Sequence, residues 1–168
     1  GSKSIDGMQT LLTNPNRFGS RQKYLDGTVS RKIDRDTRVQ AGLSYGEGNN
    51  EDEYGLNYSR NYMGFARVDH VLSSSWQQSL QVSGFGMNLT IPKGYPPGEF
   101  STDRQALSWQ NLFTLPTGML TMGLDTWKDK VVKLDYWSAA NNVQKELASD
   151  AVFGQYVTQW QGLDWQWG

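Results

Sequence analysis

Apolar and polar residues alternate with a period of two along most of the chain, a pattern typical of a β-strand with two unlike faces. The clearest stretches are 38–45, 76–84, 106–115 and 120–126, and 24–33, 62–72, 151–160 and 163–167 follow the pattern less regularly. Only residues 139–148 have helical spacing, with Val143 and Leu147 four residues apart. The sequence therefore predicts an all-β, antiparallel fold of about nine strands.

Two kinds of connection separate these strands. Four are short: 34–36, 73–75, 116–118 and 161–162. Four are longer and rich in polar residues, glycine, proline or asparagine: 10–21, 46–59, 90–102 and 131–150. Because short and long alternate, an up-and-down sheet would carry every short turn at one end. Bacterial outer-membrane barrels have this asymmetry, with short periplasmic turns and longer extracellular loops.

Aromatic residues cluster near the predicted strand ends. The chain has seven Trp, eight Tyr and six Phe. Those near short turns are Trp76, Phe113, Trp160 and Trp165, and those near the longer connections are Tyr45, Phe85, Trp127 and Phe153. Trp and Tyr favour the membrane interface because their rings are apolar and their edges polar. We therefore expect a segment of a transmembrane β-barrel in which alternate side chains meet lipid.

Charge and reactive side chains argue against two other classes of function. Sixteen Lys and Arg nearly balance seventeen Asp and Glu, whereas nucleic-acid binders usually carry a basic excess. His70 is the only histidine and there is no cysteine, so the residues for a zinc site are missing. Asp69 precedes His70, but adjacent strand residues point to opposite faces, which disfavours a catalytic triad. We expect no enzymatic activity.

Three stretches resemble TonB-dependent outer-membrane receptors, above all the cobalamin-receptor-like branch. Residues 104–131, RQALSWQNLFTLPTGMLTMGLDTWKDKV, are similar to a middle hairpin of these barrels, and residues 151–168, AVFGQYVTQWQGLDWQWG, to the next one. Residues 4–48 look like an earlier hairpin. Members of the family close about 22 strands around a plug domain. The resemblance implies uptake of cobalamin, a siderophore or a similar scarce ligand across a bacterial outer membrane.

The resemblance also implies that residues 1–168 are a partial barrel domain, because the plug, its energy-coupling box and the family's final aromatic strand have no counterpart in them. Open sheet edges are not viable in lipid, since unpaired backbone groups cost several kcal/mol each. The expected partners are therefore the remaining strands and plug of the same receptor, the TonB complex acting through that plug, outer-membrane lipid and a small-molecule ligand.

Four aromatic residues of the longer connections are candidates for a ligand-collecting surface: Phe18, Tyr95, Tyr136 and Trp137. In such receptors the outward loops gather the ligand, so the resemblance assigns this role to them. The alternative is that the four rings pack the loops against one another.

An acidic run, Glu51, Asp52 and Glu53, lies in another predicted loop. Carboxylate oxygens are ligands for calcium, and cobalamin receptors bind calcium in outer loops, so the resemblance permits a calcium site here. The spacing matches no EF-hand, and a solvated acidic loop is the alternative. No other cofactor is expected.

Two further classes stay open. One is a different outer-membrane barrel, such as a porin or a small complete barrel, which would have an even number of strands. The other is a soluble β-sandwich, for example a carbohydrate-binding module that uses Tyr95 and Trp137 as stacking platforms. A barrel segment would need detergent to stay in solution, whereas a sandwich would stay soluble without it, so this observation distinguishes the two.

Overall fold

A computed structural model describes residues 5–10, 14–52, 55–92, 97–160 and 163–168. Within these ranges, nine strands form one antiparallel sheet in the order of the sequence. The strands are β1 (Ile5–Thr10), β2 (Asn14–Lys32), β3 (Thr37–Asp52), β4 (Gly55–Ser73), β5 (Trp76–Ile91), β6 (Gly98–Leu115), β7 (Gly118–Asp135), β8 (Val143–Trp160) and β9 (Leu163–Trp167). The predicted all-β, up-and-down architecture is confirmed.

Residues 139–148, the one candidate for a helix, do not form an α-helix. Ala139–Asn141 form one 3₁₀ turn, and β8 begins at Val143. Val143 pairs with Lys133 of β7, and the ladder continues from there along β8. Cross-strand hydrogen bonds outweigh the weak helical preference of so short a segment. No helix in the described part of the chain is long and apolar enough to cross a membrane.

Three short turns are confirmed, but the strict alternation of short turns and long loops is not. Strands end and resume close to the predicted turns 34–36, 73–75 and 116–118, whereas 161–162 lie outside the described residues. The predicted loops 10–21, 46–59, 90–102 and 131–150 are largely strand. The register between β3 and β4, for example, runs without interruption to Asp52 opposite Gly55. The strands therefore extend well beyond their alternating segments.

The turn between β2 and β3 shows how a short connection is held. The Asp34 carboxylate accepts the backbone N–H groups of Asp36 at 2.8 Å and Thr37 at 2.7 Å. The hydrogen bond from the Asp36 backbone, with further ones from Thr37, holds the pKa of Asp34 below its ordinary value. An aspartate that hydrogen-bonds the backbone two residues on is a common turn former, so the sequence could predict this turn locally.

The two faces of the sheet differ in chemistry near the short turns. Because paired residues share a face, rows can be followed across the strands. One row contains Val39, Val68, Leu80, Trp109 and Leu124. The row beside it on the opposite face contains Gln40, Arg67, Gln81, Ser108 and Asp125. We call the face of the first row the apolar face and that of the second the polar face.

The apolar face is the more exposed one. Leu80 is 47% exposed and Leu124 is 46% exposed, and the described residues contain no buried hydrophobic side chain. Along the middle of β6, apolar-face residues are exposed while their polar-face neighbours are half-buried. Side chains spread apart on the outer side of a curved sheet and crowd on its inner side, so this contrast fits curvature with the polar face inside. No second layer covers the apolar face within the described residues.

The sheet has two open edges. Among the described strands, β1 pairs only with β2, and β9 pairs only with β8. In an up-and-down sheet of nine strands the first and last run in the same direction, so joining them directly would make a parallel pair. Closure with antiparallel pairs throughout takes an odd number of additional strands, and the open sheet is consistent with an incomplete barrel.

Candidate functional site

Aromatic side chains mark the short-turn end of the apolar face. The ring of Trp76 stacks on that of Phe113, its cross-strand partner, with centroids 5.5 Å apart. Its indole N–H donates to Asn111 Oδ1 at 3.0 Å, which explains the one polar residue in the alternating pattern of 106–115. Trp165 and Trp167 stack with centroids 6.4 Å apart on the same face. The Trp76 ring thus combines apolar surface with a satisfied polar edge, as an interface requires.

Two tyrosines mark the other limit of the apolar face. Tyr45 and Tyr62 are cross-strand partners, and Tyr62 pairs in turn with Gly86. Because Gly86 has no side chain, the Tyr62 ring lies across it, and its hydroxyl donates to Asp103 at 2.6 Å. The Tyr45 hydroxyl donates to Glu47 at 3.1 Å. We call the cross-strand row that contains Tyr45 and Tyr62 the tyrosine row.

The distance between these limits matches a membrane. Trp76 and Gly86 are ten positions apart on β5. At about 3.3 Å per residue this is about 33 Å along the strand. A tilt of about 40°, usual for barrel strands, reduces the height to about 25 Å. Outer-membrane barrels have an apolar band of about this height between aromatic girdles.

Three of the aromatics expected at the interface near the longer connections do not lie on the apolar face. Phe85, Trp127 and Phe153 lie on the polar face, so they cannot form the upper girdle beside Tyr45. Phe153 instead lies over its partner Gly123, where a Cβ would overlap its ring. Closeness to a predicted loop does not show which face a residue occupies, because moving one residue along a strand reverses the face.

The polar face carries a rigid charged pair. Arg104 and Asp129 are cross-strand partners joined by two hydrogen bonds of 2.6 Å, and Asp129 is buried. The Arg104 guanidinium also lies 4.7 Å from the centre of the Trp127 ring. A bidentate, charge-assisted pair stacked on an indole fixes both side chains. Nearer the short turns on this face, Arg67 Nε lies 2.7 Å from Asp69 Oδ1. Such a wall suits contact with water or with a polar protein surface.

Asp135 organises the connection between β7 and β8. Its carboxylate accepts the backbone N–H groups of Trp137 at 2.8 Å and Ser138 at 3.1 Å, and the side-chain amide of Asn141 at 3.0 Å. Its own N–H donates to Asn142 at 2.7 Å. The hydrogen bond from the Trp137 backbone, followed by that from Asn141, lowers the pKa of Asp135. The loop is therefore pre-formed.

This loop presents two of the four predicted ligand-binding aromatics. Tyr136 is 50% exposed and Trp137 is 60% exposed. The Tyr136 hydroxyl donates to Glu99 of β6 at 2.7 Å, and this hydrogen bond raises the pKa of Tyr136. Its backbone N–H donates to the carbonyl of Pro97 at 3.1 Å. The pair thus offers an apolar ring surface anchored by polar contacts, which can stack on a planar or sugar-like ligand.

The other predicted site residues are only partly described. Phe18 lies in β2 and pairs with Met8, but its side chain lies outside the described residues, as does Tyr95 entirely. Glu51 is exposed near the end of β3, whereas the Asp52 side chain and all of Glu53 lie outside the described residues. Within the described part no group of three or more His, Cys, Asp or Glu could hold a metal. The ligand surface and the calcium site stay predictions.

His70 lies among partners that suit a structural role. Its Nδ1 is 3.0 Å from the Thr37 hydroxyl on the neighbouring strand. The carboxylate of Asp69 is on the other face, paired with Arg67. This opposite placement is the one the strand geometry predicts.

A row of charged residues next to the tyrosine row was missed by the sequence. It contains Lys23, Glu47, Arg60, Asn88 and Ser101, all on the same face as the tyrosines. Lys23 Nζ and Glu47 Oε1 are 2.8 Å apart. These positions fall in segments predicted as loops or between patterned stretches, where no alternation signals a strand.

The comparisons with known proteins identify no relative: no protein-family model matches the chain, and no curated protein and no solved structure matches it either.

Proposed function

We propose that this chain forms part of the wall of a bacterial outer-membrane β-barrel, and that the barrel is a TonB-dependent transporter for cobalamin, a siderophore or a similar scarce ligand. The observation that carries the membrane assignment is the exposed apolar band. It has about the height of the bilayer core, aromatic rings at both limits, and a polar face behind it. The TonB-dependent assignment rests on the resemblance of residues 4–48, 104–131 and 151–168.

The exposed apolar side chains favour lipid over a sandwich core. A sandwich buries alternate side chains of one sheet against a second sheet about 10 Å away. Leu80, Trp109 and Leu124 have no such layer over them within the described residues. Exposing one such side chain to water costs about 1.5–3 kcal/mol. Hydrocarbon removes that cost for the whole face without a second sheet.

In this proposal the two faces and one loop have separate roles. The apolar face contacts lipid, and the polar face lines the lumen and contacts the plug. The loop with Tyr136 and Trp137 lies outside the cell and contacts the ligand. The chemistry is binding followed by translocation without a covalent step, and energy comes from the TonB complex acting through the plug. A calcium ion bound near Glu51 is compatible with these roles.

Site-directed labelling tests the membrane orientation directly. The chain contains no cysteine, so single-cysteine variants give an unambiguous signal. In intact cells, a membrane-impermeant maleimide should label Trp137→Cys. It should label Thr117→Cys, in the β6–β7 turn, only after the outer membrane is permeabilised. Labelling of both positions in intact cells, or recovery of the protein in the soluble fraction, would contradict the proposal.

Uptake of radiolabelled cyanocobalamin, and of a labelled ferric siderophore, tests the transporter class. In cells that make the protein together with its natural flanking sequence, one of these probes should bind and accumulate. A protonophore should abolish accumulation but leave surface binding, because TonB-dependent uptake needs an energised inner membrane. Trp137→Ala should weaken the binding, with Trp137→Phe as the conservative control. Passage of small solutes that a protonophore does not affect would identify a porin instead.

A further inference from the structure

A shallow hollow of about 680 Å³ lies on the apolar-face side of the sheet just beyond the tyrosine row. Three consecutive cross-strand rows build it. The first is the tyrosine row, the second holds Lys23, Glu47 and Arg60, and the third holds Arg21 and Tyr58. The hollow therefore begins where the hydrocarbon-facing band ends, on the same side of the sheet.

The acidic groups at this hollow already have partners. Glu47 contacts Lys23 at 2.8 Å and accepts the Tyr45 hydroxyl. Asp103 accepts the hydroxyl of Tyr62 at 2.6 Å.

The two arginines are different. Arg21 and Arg60 are exposed, and among the described residues neither has a hydrogen bond or a salt bridge within 4 Å, although the charge of Arg60 acts on its cross-strand partner Glu47. Each guanidinium retains five N–H donors. The hollow thus has its carboxylates satisfied and two guanidinium groups available, which favours an anionic ligand.

The position of the arginines identifies the anion. They lie one and two rows beyond the tyrosine row. Each row adds about 6–7 Å along a strand, or about 5 Å of height after tilt. Measured along the strands and corrected for tilt, Arg60 thus lies about 5 Å and Arg21 about 10 Å beyond the tyrosine row, and their long side chains reach the headgroup layer just outside the hydrocarbon core. Phosphate oxygens are the anionic groups of that layer, and arginine binds phosphate in a bidentate manner.

We propose that Arg21 and Arg60 form a binding site for the phosphate headgroup of a lipid in the outer leaflet. The site rests on the proposed function in one respect, since it needs the apolar face to contact lipid. Lys23 completes the positive side of the hollow while holding Glu47 away from the phosphate. Asn88 and Ser101, in the same row as Arg60, add neutral polar groups.

The test is a binding titration with short-chain lipids. The protein, made with its natural flanking sequence and kept in a neutral detergent, is titrated with dihexanoyl phosphatidic acid. Arg21→Gln/Arg60→Gln should weaken binding about 30-fold, because each arginine near an anionic surface contributes about 1 kcal/mol and about 1.4 kcal/mol is tenfold. Lys133→Gln/Lys145→Gln is the matched control, since it removes two positive charges from the polar face, three positions and one position beyond the tyrosine row. It should change affinity less than threefold.

A further variant and further ligands distinguish the possible outcomes. Arg21→Lys/Arg60→Lys keeps the charges but not the bidentate geometry, so its affinity should lie between those of the unmodified protein and Arg21→Gln/Arg60→Gln. This intermediate value would show that the glutamine variant loses affinity at the site and not through misfolding. Dihexanoyl phosphatidylcholine should bind more weakly than phosphatidic acid. Equal losses in both glutamine variants, no loss in either, or equally tight binding of inorganic phosphate would overturn the lipid site.

A separate measurement on the same proteins, reconstituted in vesicles, tests the membrane proposal. In vesicles of brominated lipid, tryptophan fluorescence should be quenched, because Trp76 and Trp109 lie on the apolar face. Quenching together with unchanged phosphatidic acid affinity in Arg21→Gln/Arg60→Gln overturns only the headgroup site. An absence of quenching overturns the proposed function, and the headgroup site with it.

Discussion

Each of the long strands has a half near the short turns and a half beyond the tyrosine row. The two halves differ in how polar and apolar residues are distributed between the faces of the sheet. In the first, the two faces are unlike: Leu80 and Gln81 are neighbours in sequence, and one belongs to an apolar row and the other to a polar row. In the second, polar residues occupy both faces, as Arg60 and Ser59 illustrate. Unlike faces indicate two solvents, whereas similar faces indicate water on both sides. The change occurs at the tyrosine row, so on β3 and β4 this row marks the edge of the hydrocarbon core in our proposal.

The largest effect should come from placing a charge in the middle of the band. We expect Leu80→Arg to lower the free energy of unfolding in lipid vesicles by about 2–4 kcal/mol, because a charged side chain near the bilayer centre on a lipid-facing position is costly. Ser79→Arg is the matched control, because Ser79 lies on the polar face opposite Asp69, and it should change the free energy of unfolding by less than about 0.5 kcal/mol. Equal effects at the two positions would show that the faces meet the same surroundings.

A smaller effect should follow from filling the space under the boundary tyrosine. A side chain at Gly86 would overlap the Tyr62 ring and displace its hydroxyl from Asp103. We expect Gly86→Val to cost about 1 kcal/mol of unfolding free energy, the usual value of one lost hydrogen bond, because the overlapping tip of the exposed Tyr62 ring can turn aside. Gly84→Val lies on the same face two residues earlier, where a Cβ would be 3.8 Å from the nearest atom. It should be tolerated, and an equal cost at both glycines would argue against this geometry.

On the polar face, one position on the short-turn side of the tyrosine row, electrostatics should replace burial as the main local term. Asp129→Asn removes the negative charge and one of the two acceptor oxygens, so only one of the two 2.6 Å hydrogen bonds from Arg104 can remain. We expect a loss of about 1 kcal/mol in urea unfolding, since Arg104 is 48% exposed and solvent screens the pair. Asp125→Asn, on the same face nearer the short turns, is the control. If Asp129→Asn has no larger effect than the control, the pair does not stabilise the sheet.

The smallest effect should appear in the loop above β7. Because the Trp137 N–H lowers the pKa of Asp135 in the folded loop, the carboxylate stabilises the loop at neutral pH. This contribution is present above the ordinary aspartate pKa and is lost as the pH falls through the lower folded value. The Trp137 amide resonance should therefore titrate at acidic pH with that lowered pKa. In Asp135→Asn the titration should vanish, and its persistence would assign it to another group.

The sequence could predict the strand halves near the short turns because their two faces meet different surroundings, which imposes a period of two. Residues 38–45 and 76–84 alternate cleanly, and the structure places their apolar members on one face. Beyond the tyrosine row the same β3 continues through Gly46 and Gly48 to Asp52, with no alternation to detect. Cross-strand pairing alone maintains these halves, and a single sequence does not show pairing.

Only part of the candidate site could be predicted from the sequence, because the rest depends on the pairing of strands. Tyr136 and Trp137 stood out as aromatics in a polar segment, and the structure places both at an exposed loop. Arg60 and Lys23 did not stand out, since their significance depends on register across three strands. The faces of Phe85 and Trp127 also required the register.

Accessibility of spin labels along β6 tests the central claim most directly. Single cysteines at consecutive positions 106–110 of the protein in lipid vesicles would each carry a nitroxide, whose collisions with oxygen and with a polar nickel complex are measured. Labels at Leu107 and Trp109 should collide mainly with oxygen, which concentrates in hydrocarbon. Labels at Ala106, Ser108 and Gln110 should collide relatively more with nickel, giving a period of two. Uniformly low oxygen collisions at all five positions would place this face against protein rather than lipid and contradict the account.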